Sequence, residues 1–303
     1  AATQTDTTLN SVSYVQKDPA TLPSDIAVAI ATGGAPDLIL ASQEELLSLG
    51  KFITPVPLSS IPASTFANTF IDEGRLFAVP GGGGYYGIPF LVDPLVLFSN
   101  RSILASSGIV RPPDTWEALT GLVPSIAVLT PSRQIVRGLI GLGTYDNVHD
   151  ARGILSTLFL QQGIPVSSYS GNGILSANLG DNSSNSSARG PAVVSFYSQF
   201  ADPAKVSYTW NTSLSNSAQM VLSGDLALYL GYVSEARYLQ AANPNLNFSV
   251  TPVPQSANVS TKSVYGLLYA FMIPRGATNV AGAYQGAVTM THADTQVVAA
   301  AAT

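Results

Sequence analysis

The chain of 303 residues has no cysteine, only two histidines and only 10% charged residues, and each shortage closes off a class of function. Without cysteine there is no disulfide framework, no thiolate metal site and no thiol nucleophile. A serine nucleophile working with an imidazole base would need His149 or His292, and neither stands near a GxSxG pattern. No HExxH-like spacing joins the two histidines, so neither a metal nor a catalytic constellation is expected. With 13 Lys plus Arg against 18 Asp plus Glu, the net charge of −5 offers no attraction to nucleic acid or to an anionic membrane. No run approaches the roughly 18 to 20 apolar residues of a membrane span. The chain also does not open on a basic-then-apolar leader, so an exported protein would be present here in its processed form.

What is present is apolar and uncharged. Hydrophobic residues make up 46%, and the charged fraction falls well below the roughly 25% of an ordinary soluble domain, so Ser, Thr, Asn and Gly carry much of the surface. The length suits about two domains, because a single core stops growing near roughly 250 to 300 residues. Six Asn-X-Ser/Thr sequons (Asn100, Asn182, Asn185, Asn211, Asn247, Asn258) arise by chance in so Asn- and Ser-rich a chain, and carry no argument for glycosylation.

The order of elements is α/β. "TLPSDIAVAIATGGAPDLIL" predicts a helix with Leu22, Ile26 and Ile30 on one face, a stop at Gly33 and Gly34, and a strand over Leu38 to Leu40. Ser42 stands three residues before Glu45, the spacing of a capping box, which predicts a second helix running to Gly50. Helix starts beside the carboxyl ends of strands are where open α/β sheets hold ligands. "GGGGYYG" at 81 to 87 lacks the GxxxxGK[ST] pattern and reads as a loop. "NRSILASSG" and "PPDTWEALTGL" read as short helices, the second started by Asp114 or Thr115, and "DNSSNSSARG" as a polar low-complexity loop. "NSAQMVLSGDLALYLGYVSEARYLQ" predicts a helix, a Gly224 stop, a strand over Leu226 to Leu230, a turn and a further helix.

One carboxylate is conspicuous. "GIPFLVDPLVLFSN" is apolar almost throughout, yet carries Asp93 followed at once by Pro94. A charge inside such a run is costly unless hydrogen-bonded, so it marks either a site or a break in the element. His149 lies in a predicted loop and reads as a surface residue. Asp93 and Glu44 could meet in space as the carboxylate pair of a glycoside hydrolase, with no local pattern to support it.

Taken in order, "GGAPDLILAS", "GKFITPVP", "YYGIPFLVDPLVLFSN", "PPDTWEAL", "SGDLALYLGY" and "PRGATNVAGAY" resemble the extracellular solute-binding proteins of ABC importers, in the group that includes maltodextrin- and other sugar-binding receptors. The resemblance spans about 270 residues. It implies a two-lobe, type II periplasmic-binding-protein-like α/β fold, with lobes joined by crossing hinge strands and closing on a solute held in the cleft. The first lobe would comprise residues 1–95 plus 270–303, the second 96–269. Compared with the family, the opening strand and long helix before "SVSYV" and the closing helices are missing, which implies truncation at both ends.

The resemblance also implies site residues. Asp93 falls where the family often places an acid facing sugar hydroxyls, and a carboxylate can accept two hydroxyls at once. Ser42, Gln43 and Glu44 follow the "PDLIL" strand, although a plain cap serves equally well for Ser42. Tyr232, after "LALYL", would offer an aromatic face to a pyranose ring, with Trp210 and Tyr265 as further aromatics and Tyr145 from the "GTYDN" loop. Trp116 is expected to pack its own helix. The implied function is capture of a small solute, with a carbohydrate the first choice, and delivery to ABC permease subunits by a monomer with no cofactor, no metal and no catalytic activity. Localisation would be extracellular, periplasmic or tethered to the cell surface as a lipoprotein. The alternatives are a binder of a polyol, peptide or amino-acid derivative on the same fold, or an extracellular hydrolase using Asp93 and Glu44.

Overall fold

The computed structural model describes residues 12–170, 174–179, 189–257, 259 and 261–302. Among them run nine strands: β1 Ile39–Ser42, β2 Ile88–Asn100, β3 Val128–Leu129, β4 Ile135–Ile140, β5 Ser167–Tyr169, β6 Leu175–Ala177, β7 Leu226–Tyr232, β8 Phe248–Pro252 and β9 Gly266–Met272. The chain forms two compact units. It passes from the first to the second between Val92 and Asp93, within β2, and returns between Gly266 and Leu267, at the start of β9.

In the first unit the helix Leu22–Ala31 buries Leu22 and Ile26 and packs Ile30 on the same cluster, as the i, i+4 spacing predicts. The chain leaves it through Gly33, whose φ of +73° suits glycine. β1 pairs antiparallel with β9, Ile39 opposite Met272 and Ser42 opposite Tyr269. Two expectations fail here. The strand lies over Ile39–Ser42, and the helix expected from Ser42 begins only at Leu46, lasts to Leu49 and runs past Gly50 into a 3₁₀ turn, Gly50–Phe52.

The cause is Gln43. Its backbone N–H donates to the Leu268 carbonyl at 3.0 Å, and its side-chain oxygen accepts from the Leu268 N–H at 2.6 Å, so pairing with β9 continues one residue beyond the strand. The capping-box spacing still operates locally, because Glu45 Oε2 accepts from the Ser42 N–H at 2.8 Å and the Ser42 hydroxyl at 2.6 Å. "GGGGYYG" is a loop as read, with positive φ at Gly81, Gly82, Gly83 and Gly84. At Gly84 a Cβ would stand 2.1 Å from the Val56 carbonyl oxygen, where backbone meets backbone.

The second unit has strand order β8-β2-β7-β4-β3. β2 is antiparallel to β7, Leu95 opposite Tyr232, and to β8, Val96 opposite Pro252, while β7 and β4 run parallel. β7 is buried along Leu226 to Gly231, which explains a continuous apolar run where an exposed sheet face would alternate. Three helices start as their caps predict. Asn100 accepts from the Ser102 and Ile103 N–H groups to open Arg101–Ser106, Thr115 (not Asp114) accepts from Ala118 N–H to open Trp116–Gly121, and Asn216 opens Ser217–Ser223, which ends on Gly224 at φ +83°. The sequon residue Asn100 is thus a buried cap, whereas Asn182, Asn185 and Asn258, with most of "DNSSNSSARG", lie outside the described residues.

Trp116 packs its helix as expected: its indole N–H donates to Gln161 Oε1 at 2.6 Å, and Gln161 in turn donates to the Pro254 and Ser263 carbonyls.

Candidate functional site

Asp93 is the first residue of the second unit and is 7% exposed, following the exposed Val92 along β2. Ser234 serves both of its oxygens. The Ser234 backbone N–H donates to Oδ1 at 3.0 Å and the Ser234 hydroxyl to Oδ2 at 2.6 Å. Around it the chain is tightly drawn: Val233 N–H donates to the Pro94 carbonyl, and Leu95 N–H to the Tyr265 carbonyl, each at 3.0 Å. A Cβ on Gly266 would meet Pro94 Cα at 3.1 Å and the Asp93 carbonyl oxygen at 3.2 Å, so glycine lets the returning chain lie against β2.

Beyond the end of β7 the helix Glu235–Ala242 begins, and its first side chain folds back. Glu235 Oε2 accepts the Tyr229 hydroxyl at 2.5 Å, and Oε1 accepts the Tyr232 N–H at 2.6 Å. Gly231 leaves the room, since a Cβ there would stand 2.5 Å from Tyr229 Cε1 and 2.6 Å from Glu235 Oε1. Burial, and then the Glu235 charge beside it, push the Tyr229 hydroxyl above its ordinary range, so Tyr229 stays a neutral donor.

Asp150 completes the group from a different element, at the N-cap of the helix Ala151–Gln161. Its carboxyl lies beside that of Glu235, and its Oδ2 is buried with no hydrogen-bond partner among the described residues. Burial first, then the charge and hydrogen bond of Glu235, then Asp93, push its carboxyl up to about 8. Above the same helix start lies the Tyr232 hydroxyl, 2.8 Å from where a Cβ on Gly153 would be. Burial and the nearby Asp150 and Tyr265 raise that hydroxyl, Arg152 works against them, and Asp93 adds to the rise. The result, at the Tyr232 edge of this unit, is a set of hydroxyl and carboxyl groups with a half-buried aromatic ring.

Of the residues expected from the sequence, Asp93, Tyr232 and Tyr265 come together here; Tyr265 is half-buried, and its N–H donates to Thr157 Oγ1 at 3.0 Å. Trp210 corrects an expectation. It is 0% exposed, and its indole N–H is directed at Thr144 Oγ1 (3.0 Å) and Asn147 Oδ1 (3.1 Å), so it is a core residue of the second unit with no face left for a solute. Tyr145 is 58% exposed in its loop, near Tyr197. Ser42, Gln43 and Glu44 belong to the first unit, where Ser42 and Gln43 are occupied by Glu45 and β9 and Glu44 donates its N–H to Ser42 Oγ at 3.2 Å. Of the Asp93 and Glu44 pair, one carboxylate therefore stands in each unit.

The sequence reading missed Asp150, Tyr229, Ser234 and Glu235. A signal existed for Glu235, three residues after Tyr232 at a strand-to-helix turn, the spacing at which a side chain reaches back to a free N–H. His149, Asp150 and Glu235 bring one donor atom each within 4.8 Å of one another, but a carboxyl that keeps its proton, as Asp150 does, attracts a cation weakly, and no metal is assigned to them. A separate, mostly apolar cavity of about 540 Å³ in this unit is lined by Trp116, Leu158, Val193 and Phe196, with Glu117, Gln162 and Ser256 among its polar residues.

Two α/β units joined by strands that pass from one to the other define a two-lobe binding protein of the type II periplasmic-binding-protein class. The family model described as bacterial extracellular solute-binding protein matches residues 1–303, and the chain belongs to that family. No curated protein matches it in sequence. Among solved structures it is similar to CpMnBP1 with mannotriose bound, at 20% identity and a TM-score of 0.65, covering 95% of this chain and 73% of that one. It is similar to the Thermus thermophilus maltotriose-binding protein bound with maltotriose, at 16% identity and 0.66, covering 98% and 73%. For a cyclo/maltodextrin-binding protein complexed with maltotetraose the values are 14% and 0.71, covering 98% and 71%. Among the described residues no helix is long and apolar enough to cross a membrane.

Proposed function

We propose that the protein is the carbohydrate receptor of an ABC importer, which captures a neutral sugar or short oligosaccharide and delivers it to the permease subunits. The observation that carries this reading is the grouping of Asp93, Asp150 and Glu235 with the half-buried rings of Tyr232 and Tyr265 in one unit. Sugars present hydroxyl groups that need acceptors and apolar ring faces that pack on aromatic side chains, and this edge supplies both chemistries. The similar structures with mannotriose, maltotriose and maltotetraose bound support the same class of solute. Binding without catalysis, action as a monomer, lipid tethering at the cell surface and closure of the two units on capture are parts of the same reading.

The test is a thermal-shift panel of neutral mono- and oligosaccharides. A sugar present at 100 times its Kd adds about 2.7 kcal/mol of stability. A panel in which no sugar raises the melting temperature, while a peptide or amino-acid panel does, would move the protein to another solute class. A chromogenic glycoside assay on the same sample should give no turnover, and turnover lost in Asp93→Asn would instead make the protein a hydrolase.

A further inference from the structure

Three helices of the second unit leave a hollow between them that the carbohydrate reading does not use. Trp116 and Glu117 come from the helix Trp116–Gly121, Leu158 from Ala151–Gln161, and Val193 and Phe196 from Arg189–Ser198, around the mostly apolar cavity of about 540 Å³. Folded interiors leave few voids larger than a water molecule, and pockets of roughly 300 to 1,000 Å³ are the size that holds a small organic molecule. The aromatic wall is fixed. The Phe196 ring stands edge-on to Trp116 with centroids 5.7 Å apart and to Phe200 at 5.5 Å, and the Trp116 indole N–H is held by Gln161 Oε1. The Gln161 side-chain nitrogen in turn donates to the Pro254 and Ser263 carbonyls. The inner wall therefore offers aromatic and aliphatic surface with its polar groups already paired, which suits an apolar body better than a hydroxylated one.

The rim adds a charge. Among the described residues that line the cavity Glu117 alone is charged; it is exposed, and its carboxylate has no hydrogen-bond or ion-pair partner among the described residues. A first-turn acid suits the helix dipole, which accounts for the residue type, and its place at the cavity sets a carboxylate beside apolar surface. Arg189 donates to the Gln162 carbonyl at 2.9 Å and stands outside the lining. Gln162 Nε2 reaches Ser256 Oγ only at 3.4 Å, a long bond that leaves both groups able to serve a ligand. Gly121 and Ala192 also line the cavity and are exposed, and a Cβ on Gly121 would meet nothing within 4 Å, so no neighbouring side chain fills that side.

We propose that this cavity is a second small-molecule site, which takes a compact aromatic molecule carrying one ammonium group, its ring against Trp116 and Phe196 and its ammonium on Glu117. Ring burial on the aromatic wall supplies most of the affinity. The ammonium makes a charge-assisted hydrogen bond to the carboxylate, and because Glu117 is exposed that bond is screened and serves chiefly to select the sign of the ligand. None of Asp93, Asp150, Tyr232, Glu235 and Tyr265 lines the cavity, so the site does not rest on the carbohydrate reading.

The experiment is titration calorimetry of the full chain with three probes that share an indole ring and differ in charge: tryptamine, a cation; tryptophol, neutral; and indoleacetate, an anion. The expected result is saturable one-to-one binding of tryptamine, with tryptophol roughly two- to fivefold weaker, as the loss of an exposed ion pair implies, and indoleacetate weakest. Ala192→Trp, a bulky side chain at an exposed lining position, should weaken tryptamine more than roughly tenfold by filling the ring's place. Glu117→Gln should bring tryptamine to the affinity of tryptophol and leave tryptophol unchanged, and Tyr232→Ala should bind both as the native chain does. No saturable tryptamine binding, indoleacetate bound as tightly as tryptamine, or a tryptamine preference that survives in Glu117→Gln would each overturn the proposal. So would tryptamine binding lost in Tyr232→Ala and kept in Ala192→Trp, which would put the probe at the Tyr232 edge. Glu117 is exposed, so its variant decides the matter even where Ala192→Trp fails to fold. No sugar enters these titrations, so the carbohydrate reading can fail while this site stands, and the reverse.

Discussion

Ser234 holds both oxygens of Asp93, its N–H on one at 3.0 Å and its hydroxyl on the other at 2.6 Å, across 141 positions of sequence. The pairing explains how a carboxylate sits in an apolar strand without a cation among the partners described for it. Ser234→Ala removes the shorter of the two bonds and should cost about 1 to 3 kcal/mol, as a buried acceptor loses a donor. Urea unfolding measures it, and Ser234→Thr should recover most of the loss. An unchanged midpoint in Ser234→Ala would mean that water or another group already serves Asp93.

Gly231→Ala places a methyl group against Tyr229 and Glu235, at 2.5 Å and 2.6 Å before relaxation. Overpacking of this kind costs typically 1 to 3 kcal/mol. The expected result is a loss in that range together with release of the Tyr229 hydroxyl from Glu235, seen as a lower tyrosine titration midpoint. A variant as stable as the native chain with Tyr229 unchanged would contradict the fixed Glu235.

Stability should fall as pH rises, and Asp150 gives the sign. Its carboxyl moves from 3.8 in the unfolded chain to about 8 in the fold, so between those values the folded state binds the extra proton. Stability that depends on this proton is complete at low pH, declines as pH rises above about 4 and is fully lost above about 8. Asp150→Asn should flatten that decline. Melting temperatures at intervals from pH 5 to 9 for both proteins check it, and parallel curves would show that Asp150 titrates alike in both states.

Much of the fold was legible because its signals are local. Gly224 and Asn216 bracket a helix, the short apolar run Leu226 to Leu230 after the Gly224 stop reads as a buried strand, and Asn100 and Thr115 open helices where their side chains reach a free N–H. The displaced start of the second helix was not legible, because it depends on Gln43 pairing with Leu268, 225 positions away. The site divides in the same manner. Asp93 stood out as a charge in an apolar run, and Tyr232 by its place after a strand. Trp210 misled because a tryptophan looks alike in sequence whether its ring faces core or solvent. Asp150 is an ordinary polar loop residue until Glu235, 85 positions later (235 − 150), is folded against it.

The central claim is that the Tyr232 edge of the second unit captures a neutral carbohydrate, and titration calorimetry of the native chain and Tyr232→Ala with maltotriose and mannotriose tests it most directly. Tyr232 is half-buried against the core, so the variant's folding is checked by its melting curve before its binding is read. The account predicts saturable one-to-one binding of at least one of the two sugars to the native chain, weakened roughly tenfold, about 1.4 kcal/mol, in the folded variant. Binding of equal strength in both proteins, or no heat from either sugar with the native chain, would contradict it.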